Sequence, residues 1–307
     1  MLDVCLLGVS GMMPLPDRYL TSLLVRINGK KLLIDCGEGT QVTAKILGWG
    51  FKSIDVICFT HLHADHIAGL PGFLLTIGNS GRTEPLTIIG PKGIANVYEG
   101  LSTIFPEIPF EVKIKELFLT DENPESEEIN LGEFSIKAMF MDHRIPCFSY
   151  VVELKRKGKF SLEKAEKLNL PKALWSLLQK GENVIYKEKE YTPNMVLGTN
   201  RKGIKIAYCT DSRPLERMHK FIENADLFIC EGMYGEEEKK ENAIAKKHMI
   251  FSEAATMAKE GNVKELWLTH FSPALAEPEL YLENATKIFE NTVIGKVRLS
   301  KKFLFEE

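Results

Sequence analysis

The sequence predicts a layered α/β protein, and three observations lead there. Strand-like apolar runs occur in both halves of the chain. Helix-like runs separate them. Several of the strands end in a residue of metal-binding type. Ligands at strand ends let a rigid sheet position chemistry that sits on loops.

The elements follow in order. Residues 2–7, LDVCLL, read as a first strand. Asp3, the absence of a basic leading region and the glycine turn after it argue against a signal peptide. Residues 22–27 (SLLVRI) and 31–35 (KLLID) are strands joined by NGK, a hairpin signal. DCGEGTQ leads into the helical run QVTAKILGWG. The strand IDVICF comes next, then THLHADH, then IAGLPGFLLTI, a helix with Pro71 inside or near its start. LTIIGPKG is a strand and turn, and a helix follows Gly93. FEVKIKEL, FSIKAMFMDH and FSYVVEL are strands, as are IKIAYCTD, ADLFICEG and KELWLTH, with helices at 214–223 and 252–260. GEEEKKEN (235–242) reads as a solvated helix start or loop, and His219 as a surface residue.

Composition narrows the class. With 44% hydrophobic and 26% charged residues among 307, the chain has the balance of a globular protein and enough length for a sizeable core. No apolar segment is long enough to cross a bilayer. The six cysteines are dispersed, lie in or beside apolar runs and form no CxxC pair, so they read as small buried thiols in a reducing, cytoplasmic setting. The net charge of −3 gives no bulk attraction for a polyanion. Locally this reverses: residues 154–189 carry ten basic and four acidic side chains. Within them Leu170, Leu174, Trp175, Leu177 and Leu178 can form the apolar face of a short helix.

Three of the seven histidines crowd into residues 61–66, and two more, His143 and His270, end apolar strands. In extended chain, residues two apart share a face, so His61 and His63 can converge on one metal ion. Asp65 and His66 come where the chain turns towards helix and can face a neighbouring position. Imidazole with carboxylate suits zinc, with manganese or iron as alternatives. Adding His143, Asp211 and His270 gives too many donors for one tetrahedral ion and enough for two. A purely structural metal site fits this excess poorly.

These residues carry a resemblance. THLHADH matches the HxHxDH signature of the metallo-β-lactamase superfamily. The stretches IDCGEGTQ, THLHADHIAGLPG, GPKG, CTDSRP, CEGMYG and LTHFSPA, spread over nearly the whole chain, resemble the ribonuclease Z family within it. That resemblance implies a single 1–307 domain with an αββα sandwich of two central mixed sheets, helices outside and metals at one edge. It implies a zinc-dependent endoribonuclease that trims the 3′ trailer of precursor tRNA, as a homodimer, with two zinc ions per subunit. Carried over, His61, His63 and His143 would bind one ion, and Asp65, His66 and His270 the other, with Asp211 bridging. Asp65 would accept a proton from the attacking water. Glu231 and His248 would protonate the leaving 3′ oxygen, and Asp35 would orient ligands from behind. The basic segment, 154–195, falls where the family inserts an arm that grips tRNA, with Lys155, Arg156, Lys157 and Lys159 as phosphate contacts.

Two departures qualify the match. The family's PxKxRN loop reads PLPDRY here; it keeps Pro14 and Arg18, the latter a further substrate contact, but has Pro16 and Tyr19 in place of lysine and asparagine. The arm's Gly-Pro pair is replaced by Lys172 and Ala173. A hydrolase of another or smaller phosphodiester or ester is therefore the alternative, and the altered loop favours it while the basic arm argues against it. A bland insertion packing on its own domain is the alternative to the arm. A redox module would use HxExD, which this chain lacks. Arg82 and Lys92 are expected near the metal end of their strands, as phosphate contacts or surface charges.

Overall fold

The computed structural model describes every residue except Pro106, Glu133, Asn200 and Glu307. By contact density the chain divides into two compact units: Met1–Glu153 with Lys205–Leu304, and Leu154–Ile204 with Phe305–Glu307.

The first unit begins with β1 (Leu2–Gly8), β2 (Ser22–Ile27), β3 (Lys30–Ile34), β4 (Ile54–Cys58), β5 (Leu86–Pro91) and β6 (Val112–Leu117). Then come β7 (Ile129–Asn130), β8 (Phe134–Met141) and β9 (Cys147–Arg156), the small hairpin β10 (Val184–Tyr186) and β11 (Lys189–Tyr191), and β12 (Arg201–Cys209). β13 (Leu227–Glu231), β14 (Leu266–Thr269), β15 (Thr292–Ile294) and β16 (Ser300–Phe303) complete the chain. One seven-stranded sheet has the order β16-β1-β2-β3-β4-β5-β6, and the other β15-β14-β13-β12-β9-β8-β7. In the first, β16, β1, β2 and β3 pair antiparallel, and β3 to β6 run parallel. In the second, β12 to β15 are parallel, and β7 pairs with β8 antiparallel.

Strand composition dictates this layering. β1 is buried along its whole length, as a strand covered on both faces must be. Cys5, Leu24, Leu33, Ile57 and Ile88 pack on one face of the first sheet against Phe73, Leu74 and Ile77 of the helix Leu70–Asn79 and against Ile94 of the next helix. Their alternates Val4, Leu23, Leu32 and Val56 are also buried, so the opposite face is covered too. The second sheet covers it. The Tyr150 hydroxyl on β9 donates to the Phe59 carbonyl at 2.8 Å, and Phe148 N donates to Thr60 O at 2.8 Å. Helices Glu216–Ile222 and Phe251–Glu260 bury Met218, Phe221, Ala254 and Met257 within the same unit. The result is the expected helix–sheet–sheet–helix order.

Pro71 stands in the first turn of its helix, where its missing N–H costs nothing. All six cysteines are buried free thiols. His219 is half-buried and pairs with Glu260 at 2.8 Å. Residues 235–242 form a 3-10 turn, Glu237–Lys239, and the start of the helix Lys240–Lys246.

Arg82 corrects the sequence reading. It precedes β5, at the end of the strand away from the metal cluster, and is 1% exposed. Its guanidinium donates to the carbonyls of Glu84, Lys52, Ile54 and Pro85 at 2.5–2.7 Å. With four N–H groups on carbonyls and Asp55 Oδ1 3.9 Å from Nη2, the buried guanidinium is not placed to contact phosphate. Lys92 is exposed, just beyond β5.

The second unit holds the basic segment. Helices Leu162–Lys167 and Lys172–Lys180 and the β10–β11 hairpin enclose a small core of Ala165, Leu170, Leu178, Val184, Tyr191, Val196 and Leu197. Leu174, Trp175 and Leu177 pack against it, partly buried, as the apolar helix face predicts. Ser161 caps the first helix by accepting from Lys164 N at 3.3 Å.

Candidate metal centre

The site sits at the carboxyl ends of strands. Asp35 follows β3; Thr60 and His61 follow β4; His143 follows β8; Asp211 follows β12; Glu231 ends β13; His270 follows β14. At three of these ends, Asp35 (φ 58°), Asp211 (φ 44°) and His270 (φ 57°), the backbone adopts the left-handed conformation. Each costs on the order of 1–3 kcal/mol and persists only where the surroundings impose it. Close approach is enforced as well: a Cβ on Gly37 would stand 2.5 Å from the Asp65 carbonyl oxygen, and one on Gly11 2.6 Å from the His270 ring.

The cluster has two halves. His61 Nε2 lies 2.9 Å from His63 Nδ1, and His143 Nε2 lies 3.3 Å from the same atom. Asp211 Oδ2 stands 3.7 Å from His61 Nε2 and 3.8 Å from His143 Nε2. In the other half His66 Nε2 and His270 Nε2 face each other at 3.2 Å, with Asp65 Oδ2 at 3.7 and 3.6 Å from them. The second Asp211 oxygen, Oδ1, is 3.0 Å from His270 Nε2 and 3.3 Å from His66 Nε2. One carboxylate thus faces both groups. Three overlapping sets can hold a metal ion: His61, His63, His143 and Asp211; Asp65, His66 and His270; and Asp211, His248 and His270.

The surrounding contacts fix which atoms point inward. Asp35 Oδ2 lies 2.8 Å from His66 Nδ1, so that nitrogen carries the proton and Nε2 presents a lone pair to the cluster. The Thr60 amide and hydroxyl donate to the same carboxylate, and the hydroxyl is 3.1 Å from His61 Nδ1. His143 Nδ1 lies 3.2 Å from the Lys247 carbonyl, which it serves as donor. Met12 N donates to Asp65 Oδ2 at 2.7 Å.

This donor set fits divalent cations. Asp211 Oδ1 is buried with the His270 and His66 Nε2 atoms facing it at 3.0 and 3.3 Å, and His270 Nδ1 is buried without a partner, so charge on the carboxylate calls for a cation or a protonated imidazole there. His66 Nε2 and His270 Nε2, 3.2 Å apart, are spaced to share either a proton or a metal ion. Burial, more than any neighbour, keeps the His61, His63 and His143 rings below their usual range and so neutral. On the other side burial pulls His270 down, yet the Asp211 charge pushes it up to about 10. Burial would raise Asp65, but His270 and His66 hold it far below the usual carboxylate range. The carboxylates therefore demand positive charge at this spot.

Beside the cluster, His248 Nδ1 lies 3.1 Å from Glu231 Oε2 and 4.0 Å from Asp211 Oδ2. Burial lowers the His248 pKa, but the Glu231 carboxylate more than offsets this and leaves it raised. Glu231 is fully buried and accepts from Ser212 N at 2.6 Å.

The remaining predicted residues stand elsewhere. Arg18 donates to the Leu275 carbonyl at 2.7 Å and lines a cavity of about 630 Å³ with Tyr19, Glu279, Lys296 and Arg298. Lys155, Arg156, Lys157 and Lys159 line a cavity of about 610 Å³ in the second unit, with Arg201 and Phe305. There Arg156 lies over the Phe305 ring at 5.0 Å, and Lys157 Nζ donates to Lys180 O at 2.7 Å. Sequence reading missed Thr60, Met12 and Lys247, which touch ligand candidates through a hydroxyl, an amide and a carbonyl. Thr60 was visible as the residue before His61; the other two act through backbone, which no side chain advertises.

Comparison with known proteins places this geometry. A family model described as "Anti-Pycsar protein Apyc1" matches residues 2–201, which include His61 to His143 but not Asp211, Glu231, His248 or His270. A protein of Clostridium kluyveri named "Ribonuclease Z" is 57% identical over 307 residues, covering all of both chains and so the whole site. The chain belongs to the ribonuclease Z family. Two solved structures share its fold: human tRNase Z, short form (24% identity, TM-score 0.72, covering 99% of this chain and 100% of that one), and the metallo-β-lactamase fold protein YhfI from Bacillus subtilis (19%, TM-score 0.69, 98% and 100%). The metallo-β-lactamase sandwich expected of a ribonuclease Z is thus the fold observed.

Proposed function

We propose that this ribonuclease Z family member is a metal-dependent endoribonuclease that removes the 3′ trailer of precursor tRNA. One observation supports this most strongly. Two metal-capable groups meet at Asp211, which belongs to one and stands 3.0 and 3.3 Å from His270 and His66 of the other, and the His248–Glu231 pair stands beside them, in a chain matched end to end by a protein named Ribonuclease Z.

His61, His63 and His143 would hold one ion, Asp65, His66 and His270 the other, and Asp211 both; zinc suits these donors, and manganese or iron can use them. Two such ions, when bound, lower the pKa of water and offset charge gathering on the phosphoryl oxygens. Asp65, steadied by the Met12 amide, accepts the proton of the attacking water. Asp35 orients His66 directly and His61 through Thr60. His248, kept protonated by Glu231, donates its proton to the leaving 3′ oxygen. Its N–H bond breaks as an O–H bond forms, so the tRNA body leaves with a 3′-hydroxyl and the phosphate stays on the trailer.

Lys155, Arg156, Lys157 and Lys159, on the 154–195 arm, and Arg18 would bind RNA phosphates, and the protein would work as a cytoplasmic homodimer. The clustered charge of the second unit supports the arm. For the setting, the support is that all six cysteines are buried free thiols, as a reducing compartment allows.

A substrate panel tests the reading: a precursor tRNA with a 3′ trailer and a small phosphodiester, at two salt concentrations. Salt-sensitive cleavage of the RNA near its acceptor end is expected. Turnover of the small diester alone, indifferent to salt, would assign the site to a different substrate.

A further inference from the structure

The residues after Asp211 have no assigned part in the reaction, yet they tie the two working parts of the site together. Ser212 N donates to Glu231 Oε1, the partner of His248. Arg213 N donates to the carbonyl of Asp142, the residue before His143, at 3.1 Å. The Arg213 guanidinium, about one-seventh exposed, donates to the His248 carbonyl and forms a two-pronged pair with Glu253. Glu253 in turn accepts from Ile250 N at 3.1 Å. The guanidinium and its carboxylate therefore brace two backbone groups flanking His248, the carbonyl of residue 248 and the amide of residue 250.

The brace adds to backbone bonds that hold the turn on its other side, where His248 N donates to the Ala243 carbonyl at 2.8 Å and Phe251 N to the Tyr234 carbonyl at 3.1 Å. The helix Lys240–Lys246 stops at Lys247, whose φ is 62°, a conformation a lysine adopts only under constraint. Lys247 Nζ pairs with Asp142 Oδ1, and its carbonyl receives His143 Nδ1. Asp142 thus holds residue 247 while Arg213 holds residue 248.

We infer that Arg213, with Glu253 as its counter-charge, is a positioning residue for the proton donor: it sets where the His248 imidazole stands relative to Asp211. The planar, five-donor guanidinium suits this, because it spans a carbonyl and a bidentate carboxylate at once, which an ammonium cannot. The inference rests on the reading of His248 as the acid for the leaving 3′ oxygen. Displacing a reacting group by about 1 Å costs on the order of a hundredfold in rate.

The test compares two leaving groups. Removing the 3′ trailer expels an alkoxide that needs a proton; bis(p-nitrophenyl) phosphate expels a phenolate that leaves without one. Arg213→Met and Arg213→Lys, with full metal content confirmed by elemental analysis, should lower kcat on precursor tRNA about tenfold to a hundredfold with KM little changed. The loss on the activated diester should be at least about tenfold smaller. Glu253→Gln should show the same contrast. In Arg213→Met/His248→Ala the losses on RNA should not add. Equal losses on both substrates, a loss of metal, or full activity on RNA would each overturn the positioning role. Inactivity of the unmodified protein on precursor tRNA, with diester turnover intact, would instead count against the tRNA reading.

Discussion

Asp35 shows how much one carboxylate can govern. It is fully buried, reaches His66 directly and reaches His61 through the Thr60 hydroxyl, so it steadies ligand candidates in both halves of the cluster. Asp35→Asn replaces an acceptor by a donor on one side. It should weaken metal affinity about tenfold to a hundredfold, measured by competition with a chromophoric chelator; unchanged affinity would remove Asp35 from this role. Glu231 acts on a proton instead. Because its charge raises His248, the acid stays protonated to higher pH, and Glu231→Gln should move the alkaline limb of the kcat profile on RNA to lower pH. An unmoved limb would mean that another group supplies the proton. At this scale the sequence was highly legible for side chains. Seven metal-ligand candidates, Asp35 and Glu231 stand together because donor-bearing residues lie at strand ends or in the loop after β4; His248 joins them from the turn after the helix Lys240–Lys246. Roles carried by amides and carbonyls, at Met12 and Lys247, leave no mark in residue type.

At the scale of elements, periodicity and turn chemistry predicted most strands to within a residue or two. The elements it overlooked lack an intrinsic signal. β16 reads SKKF and exists because it pairs with β1, and β7 and β10 to β11 are only two or three residues long. Arg82 was misread for a related reason: a buried arginine and a surface arginine look alike until the carbonyls around it are placed. Arg82→Met would leave those four carbonyls facing one another without a donor. It should lower stability by roughly 3 kcal/mol, read from urea denaturation, with activity per folded molecule unchanged; a neutral effect would deny the guanidinium its structural part. The basic unit makes a different prediction. Replacing Lys155, Arg156, Lys157 and Lys159 by alanine should weaken binding of precursor tRNA and flatten the dependence of log K on log salt. The small diester should be turned over as before. An unchanged salt slope would relieve these four of phosphate contact.

At the scale of the whole molecule, a rigid two-sheet scaffold carries a cluster of carboxylates and imidazoles spaced to take up cations. The scaffold can bring seven donors together from the ends of four strands, β4, β8, β12 and β14, because the central strands of both sheets are buried and end at one edge. The substrate is argued from membership of the ribonuclease Z family and from clustered positive charge, and it stands or falls on the chemistry at the cut. The most direct test is to incubate the metal-loaded and the chelator-treated protein with one precursor tRNA and to map both product ends. The account predicts a single metal-dependent cut near the acceptor end, with a 3′-hydroxyl on the tRNA body and a 5′-phosphate on the trailer. Cleavage that persists after chelation, or a phosphate left on the tRNA body, would contradict it.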